Sequence, residues 1–357
     1  MTDNKQLNTL DEAAVMAALS TVIEPELHRD LVSLNMIRDL KVSGNDVNFT
    51  IMLTTPACPL RNKMEGDARA ALSQVPGVGN VEIKWDSNVP SDSRIGTQIG
   101  QQFRNTIAVS SGKGGVGKTT ISVNLAISLA KEGARVGLLD ADILGPNVPM
   151  MMGVDQMPPV RDHKMVPAEN YGVKFISMAF LVKPDQPLIW RGPMLHSAIQ
   201  QLLTDVDWGE LDYLIVDLPP GTGDAQLTLA QVLPLSGALV ITQPMQVAAS
   251  DAIRGLKTFE KLDVPIIGVI ENMSGEFFGT GAGEQLARQY ETVYLGSVPM
   301  EANVRVGGDA GQPIVVAHPD SEAAQALRAI ARDVAARVSV ITLQNQSDNF
   351  IPITMVG

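Results

Sequence analysis

The 357-residue chain has one cysteine, Cys58, so no disulfide can form within it. Aromatic residues make up only 4%, against 45% hydrophobic residues overall, so the core must be mainly aliphatic. Basic residues are in deficit, with 27 Lys and Arg against 39 Asp and Glu, a net charge of −12. That balance argues against nucleic acid or an anionic membrane as the main partner, because both reward clustered Lys and Arg. No apolar run approaches membrane-spanning length, and Met1-Thr2-Asp3-Asn4 opens the chain without a signal-peptide pattern. A cytoplasmic location is therefore expected. His28, His163, His196 and His318 are scattered and show no metal-ligand spacing.

What is present divides into two patterns. Residues 8–88 read as a small α+β unit. Leu10 to Ser20 and Pro59 to Leu72 have helical composition, while 46–53 and 81–85 alternate like half-buried strands. Residues 89–105 are polar, contain Pro90 and read as a linker. From 106 to about 340 apolar strands alternate with helices, with strands expected at 106–110, 136–140, 173–178, 213–217, 238–242, 266–270 and 292–295. Such continuous apolar runs suit a mainly parallel, doubly wound α/β sheet covered on both faces. A last amphipathic helix is expected over 321–338, and 341–357 reads as a polar tail.

The most informative segment is Gly112-Lys113-Gly114-Gly115-Val116-Gly117-Lys118-Thr119, which fits G-x-x-x-x-G-K-[ST]. Small residues let backbone N–H groups converge on phosphate oxygens. Lys118 supplies positive charge, and the hydroxyl of Thr119 can bind Mg²⁺, with Thr120 following. The same letters contain G-x-G-x-x-G at Gly112, Gly114 and Gly117, the dinucleotide fingerprint. Lys118-Thr119-Thr120 decides for the phosphate loop, because a dinucleotide turn has no use for a lysine aimed into the phosphate site. Lys113 is an additional lysine that an ordinary phosphate loop does not need, placed to reach another phosphate.

Three further positions complete a candidate nucleotide site. Leu211–Asp217 is an apolar strand ending in an acid, as a magnesium-holding strand should, and Pro219-Pro220-Gly221-Thr222-Gly223-Asp224 follows as a loop suited to sensing a γ-phosphate. Asp140-Ala141-Asp142 ends the second strand of the large unit. Asp142 is the candidate for orienting an attacking water, and Asp140 for supporting the metal shell. Asn272, in Glu271-Asn272-Met273, can pair with an adenine edge.

These motifs, with Trp190-Arg191-Gly192-Pro193-Met194 and 207–213, resemble the Mrp/ApbC family, iron–sulfur cluster carrier ATPases of the MinD/ParA-like deviant P-loop class. Glu24-Pro25-Glu26-Leu27 and 54–60 (TTPACPL) are similar to the small assembly-type domain such carriers often bear. The resemblance implies a homodimer binding ATP and Mg²⁺ at its interface, with Lys113 reaching the opposite nucleotide, Asn272 near adenine, and clusters passed to apoproteins. Carriers of this family usually have C-x-x-C after the Asn-Met-Ser segment. Here 271–284 (ENMSGEFFGTGAGE) has none, so the usual bridging cluster cannot form there. Cys58 is the remaining thiol, before Pro59 at the expected start of a helix, where a depressed pKa would favour the thiolate. It reads either as a ligand for iron or a cluster, or as a small buried hydrophobe. A MinD- or ParA-like ATP-gated partner switch, and a regulator of assembly acting by contact alone, remain open alternatives.

Overall fold

The computed structural model describes residues 10–95, 102–143, 145–154, 156–181, 192–221 and 224–348. The chain divides into two compact units after Val89.

In the first unit the order is α1 (Glu12–Leu19), β1 (Ile23–Glu24), β2 (Arg29–Asp30), β3 (Ile37–Ser43), β4 (Asp46–Leu53), α2 (Arg61–Ser73) and β5 (Val81–Ser87). Asp11 starts α1 by accepting from the Ala13 N–H, the expected role of an N-cap acid. β3 pairs antiparallel with β4, and β4 parallel with β5. The alternation in β4 buries Val47, Phe49, Ile51 and Leu53 against Val15 and Leu19 of α1 and Met64, Ala68 and Leu72 of α2. Strand β3 was not legible in the sequence, because charges at Arg38, Asp39 and Lys41 break its pattern.

The second unit runs β6 (Phe103–Ser111), α3 (Lys118–Lys131), β7 (Val136–Asp140), α4 (Val148–Met151), β8 (Val160–Arg161), β9 (Lys164–Met165), β10 (Ala168–Asn170), β11 (Val173–Ser177), α5 (Gly192–Thr204), β12 (Leu211–Asp217), α6 (Asp224–Val232), β13 (Gly237–Thr242), α7 (Gln246–Lys261), β14 (Ile266–Ser274), α8 (Ala282–Gln289), β15 (Tyr294–Pro299), α9 (Ala302–Asp309), α10 (Ile314–Ala317) and α11 (Glu322–Asp348). Eight strands form one sheet in the order β10-β11-β7-β12-β6-β13-β14-β15. All neighbours are parallel except β10, an antiparallel edge strand. Helix α3 packs on β7 and β12 and against α11, while α5 and α6 pack together over the opposite side of the sheet. The result is a doubly wound sheet whose strands β6, β7 and β12 deliver their carboxyl ends side by side.

Three boundaries differ from expectation. Strand β6 begins at Phe103, inside the expected linker. Strand β14 continues to Ser274, so Glu271, Asn272 and Met273 lie within it rather than beyond it. The expected polar tail is, as far as Asp348, a continuation of α11. There Thr342 is buried and donates to Asn105 Oδ1 at 2.8 Å, a tertiary bond invisible to a local pattern. The remaining tail residues and the Trp190-Arg191 and Thr222-Gly223 pairs lie outside the described residues.

Candidate functional site

The phosphate loop joins the carboxyl end of β6 to the N-terminus of α3, where unsatisfied N–H groups and the helix dipole favour an anion. Two glycines are dictated by contact. A Cβ on Gly112 would lie 2.1 Å from the Asp251 carbonyl carbon of α7. At Gly117 the backbone is left-handed (φ 83°), and a Cβ would meet Asn272 Nδ2 at 2.2 Å. The amide of Asn272 donates instead to the Val116 carbonyl at 2.9 Å, tying β14 to the loop.

Lys118 is 6% exposed. Its Nζ lies 2.8 Å from Asp217 Oδ1 and 3.4 Å from Asp142 Oδ2. The buried ammonium is thus ion-paired to two carboxylates, and neither contact meets hydrogen-bond geometry. A buried cation beside a cavity is one that a multiply charged anion can engage. Asp217 is fully buried and accepts from Thr119 Oγ1 at 2.6 Å and from Ser122 Oγ at 2.7 Å. The hydroxyl expected to bind magnesium is thus already oriented by the acid expected to share the ion.

Asp142 and Asp140 differ in their exposure to the cavity. Asp142 lines the cavity beside Lys118. Asp140 does not line it and is fully buried. Its carboxylate accepts from Ser177 Oγ at 2.8 Å and from the N–H groups of Val148 and Asp142 at 3.2 Å each. Burial first, then the neighbouring Asp217 charge, pushes the Asp140 pKa upward. Asp140 therefore shapes the loop that carries Asp142.

The cavity has a volume of about 660 Å³, within the usual range for small-molecule sites. Lys113, Lys118, Thr119, Thr120, Asp142, Asn272, Met273, Pro299 and Met300 are among the residues that line it. Lys113 is half-exposed, and its carbonyl accepts from Ser111 Oγ at 3.0 Å. Sequence reasoning missed Ser122, Ser177 and Met273. Only Ser122 carried a local signal, sitting one helical turn after Thr119 on the same face.

Cys58 corrects an expectation. Helix α2 begins at Arg61, not at Pro59, and Cys58 packs half-buried against the first unit's core. Burial, with smaller contributions from Glu26 and Glu24, pushes its thiol up to about 11. The thiol is therefore neutral near pH 7, not a ready thiolate. Among the described residues no three His, Cys, Asp or Glu side chains converge as a metal site. The segment after Asn272-Met273-Ser274 is a glycine-bounded turn, Gly275 and Gly279 exchanging backbone hydrogen bonds of 3.0 and 2.7 Å, with Phe277 81% exposed between them. No helix among the described residues is long and apolar enough to cross a membrane.

Comparison with known proteins agrees with this geometry. Residues 102–335 match the family described as NUBPL iron-transfer P-loop NTPase, and residues 12–84 match that described as iron-sulfur cluster assembly protein. An iron-sulfur cluster carrier protein of Deinococcus radiodurans is 52% identical, the alignment covering 92% of this chain and 96% of that protein. One from Synechocystis is 49% identical over 92% of this chain and 98% of its own length. Among solved structures, a nucleotide-binding protein of Archaeoglobus fulgidus in complex with ADP is 32% identical, covering 65% of this chain and 95% of its own (TM-score 0.55). MinD of Aquifex aeolicus, 24% identical over 64% of this chain and 95% of its own (TM-score 0.51), shares the fold.

Proposed function

This chain belongs to the iron–sulfur cluster carrier family of P-loop NTPases, and on that premise we propose that it is a magnesium-dependent ATPase that helps deliver iron–sulfur clusters to apoproteins. The observation that carries the nucleotide half of the reading is Lys118. Its buried ammonium lines the cavity between Asp142 and Asp217, at the N-terminus of a 14-residue helix. That arrangement suits the β- and γ-phosphates of ATP. Likeness to MinD carries the fold alone and does not bring a positioning function with it.

The residues have separable tasks. Backbone N–H groups of the loop from Lys113 to Thr119 cradle phosphate oxygens. Thr119 Oγ1 and Asp217 would hold magnesium, which would supply charge neutralisation for the phosphates. Asp142, lining the cavity beside Lys118, orients the attacking water. Asn272 faces the base while its amide remains tied to Val116. Lys113 completes the site of a second copy in a homodimer.

The cluster is cargo. Thiolates are its preferred ligands, and the single thiol of each chain is Cys58, so a cluster shared by two copies needs further ligands from outside this set. The low acidity of Cys58 favours a weak, exchangeable attachment, as a delivery protein requires. The test is anaerobic reconstitution followed by iron and acid-labile sulfide analysis beside Cys58→Ser, then transfer to an apo acceptor enzyme whose activity reports cluster arrival. Bound iron lost in the variant, with transfer to the acceptor, is expected. Iron retained by Cys58→Ser would remove that residue from the reading, and no transfer with or without Mg-ATP would defeat the carrier role.

A further inference from the structure

Gln226, in the first turn of α6, is only 1% exposed and takes no part in lining the cavity. Its amide nitrogen donates to Ser110 Oγ at 2.8 Å and to the Gly221 carbonyl. The first partner is the penultimate residue of β6, the strand that feeds the phosphate loop, and the second lies four residues beyond Asp217. Gly221 is held from its other side as well, its N–H donating to the Ser111 carbonyl at 2.9 Å. Its backbone is left-handed there (φ 96°), and its N–H and its carbonyl, in successive peptide groups, meet the two partners. Immediately before it, Pro220 lines the cavity, and a Cβ on Gly114 would stand 3.9 Å from its ring.

The orientation of the amide is forced, because turning it over would set its oxygen against the Gly221 carbonyl. In that orientation Gln226 Oε1 is buried with no donor among the described residues. An unsatisfied buried carbonyl costs stability, and an apolar side chain of the same size would avoid that cost. Packing alone therefore does not explain a glutamine here, whereas its two donated bonds do.

We propose that Gln226 is a positioning residue for ATP hydrolysis, latching the Pro219-Pro220-Gly221 loop to the end of β6 so that the loop and the phosphate loop hold one geometry. The inference rests on the hydrolysis reading and extends it to a residue that touches no nucleotide. Gln226→Glu keeps the shape but replaces the donor with an acceptor, and is the variant of choice.

Two readouts separate latch from filler. Hydrogen exchange at the Gly221 amide, measured without nucleotide, should be slow in the unaltered chain and at least about tenfold faster in the variant. With Mg-ATP, kcat should fall by about tenfold or more while the Kd for ADP changes less than about threefold. Unchanged exchange at Gly221 overturns the proposal, as does a parallel tenfold loss of ADP affinity, which would make Gln226 a support of the whole site. If Gln226→Glu does not fold, Ser110→Ala removes one anchor of the latch and is judged by the same criteria. An unaltered chain that turns over no ATP defeats the hydrolysis reading, while the exchange measurement still decides the latch.

Discussion

At the scale of single residues, the two lysines of the phosphate loop have different burdens. Lys118 is buried between two carboxylates, so Lys118→Ala removes the phosphate partner and leaves Asp217 without its cation. Nucleotide affinity should fall by about 100-fold or more in calorimetric titration. Lys113 is half-exposed and pairs with no acid among the described residues, so Lys113→Ala should leave ADP affinity within about threefold but cut turnover by about tenfold or more. Full turnover in that variant would remove Lys113 from the mechanism. Cys58 makes a pH prediction. Burial disfavours the thiolate and holds the thiol up to about 11, so at neutral pH the reactive form is about 100-fold scarcer than for an ordinary thiol. Alkylation by iodoacetamide should be correspondingly slow at pH 7 and accelerate as pH rises toward 11. Rapid labelling at pH 7 would mean that burial does not protect the thiol.

At the scale of elements, the end of β14 does two jobs at once. Asn272 fastens it to the phosphate loop. The preceding residue, Glu271, is fully buried and accepts from the Gly281 N–H at 3.0 Å and the Gly283 N–H at 2.7 Å, capping α8 from a strand. An acid there complements the helix dipole as well as the orphan N–H groups. A Cβ on Gly283 would approach Glu271 Cβ to 2.9 Å, so the closeness of the cap requires glycine. Glu271→Ala should cost about 1–3 kcal/mol in urea unfolding, through lost bonds and stranded donors. A change under about 0.5 kcal/mol would show that water replaces the cap. Lengths of β6 and α11 were misread for a related reason. Their ends are stabilised by partners far along the chain, such as the Leu211 N–H bond to Gln102 and the Thr342 bond to Asn105.

At the scale of the whole molecule, Lys113 lines the cavity and is half-exposed. If a second copy completes the site, Mg-ATP should promote association. Light scattering should report a doubling of molar mass with Mg-ATP or a slowly hydrolysed analogue, reversed by ADP. A constant mass under both conditions would place the whole reaction within one chain. The net charge of −12 also predicts no retention on DNA or anionic vesicles at physiological salt, with or without ATP. Sedimentation that depends on ATP would contradict this.

Much of the site was legible because it is written locally. A phosphate loop needs small residues, a lysine and a hydroxyl within eight positions, since one short turn of backbone must wrap one phosphate group. The apolar strands ending in Asp140 and Asp217 were legible because a sheet buried on both faces demands continuous apolar runs. Relations between distant segments were not legible. Only tertiary structure decided that Asp140 is fully buried and accepts bonds from Ser177 and Val148, because those partners come from separate elements. The state of Cys58 was likewise decided by burial, which outweighs proximity to the α2 N-terminus. Gln226 carries no motif at all, and its two bonds exist only because the sheet brings β6 and β12 side by side.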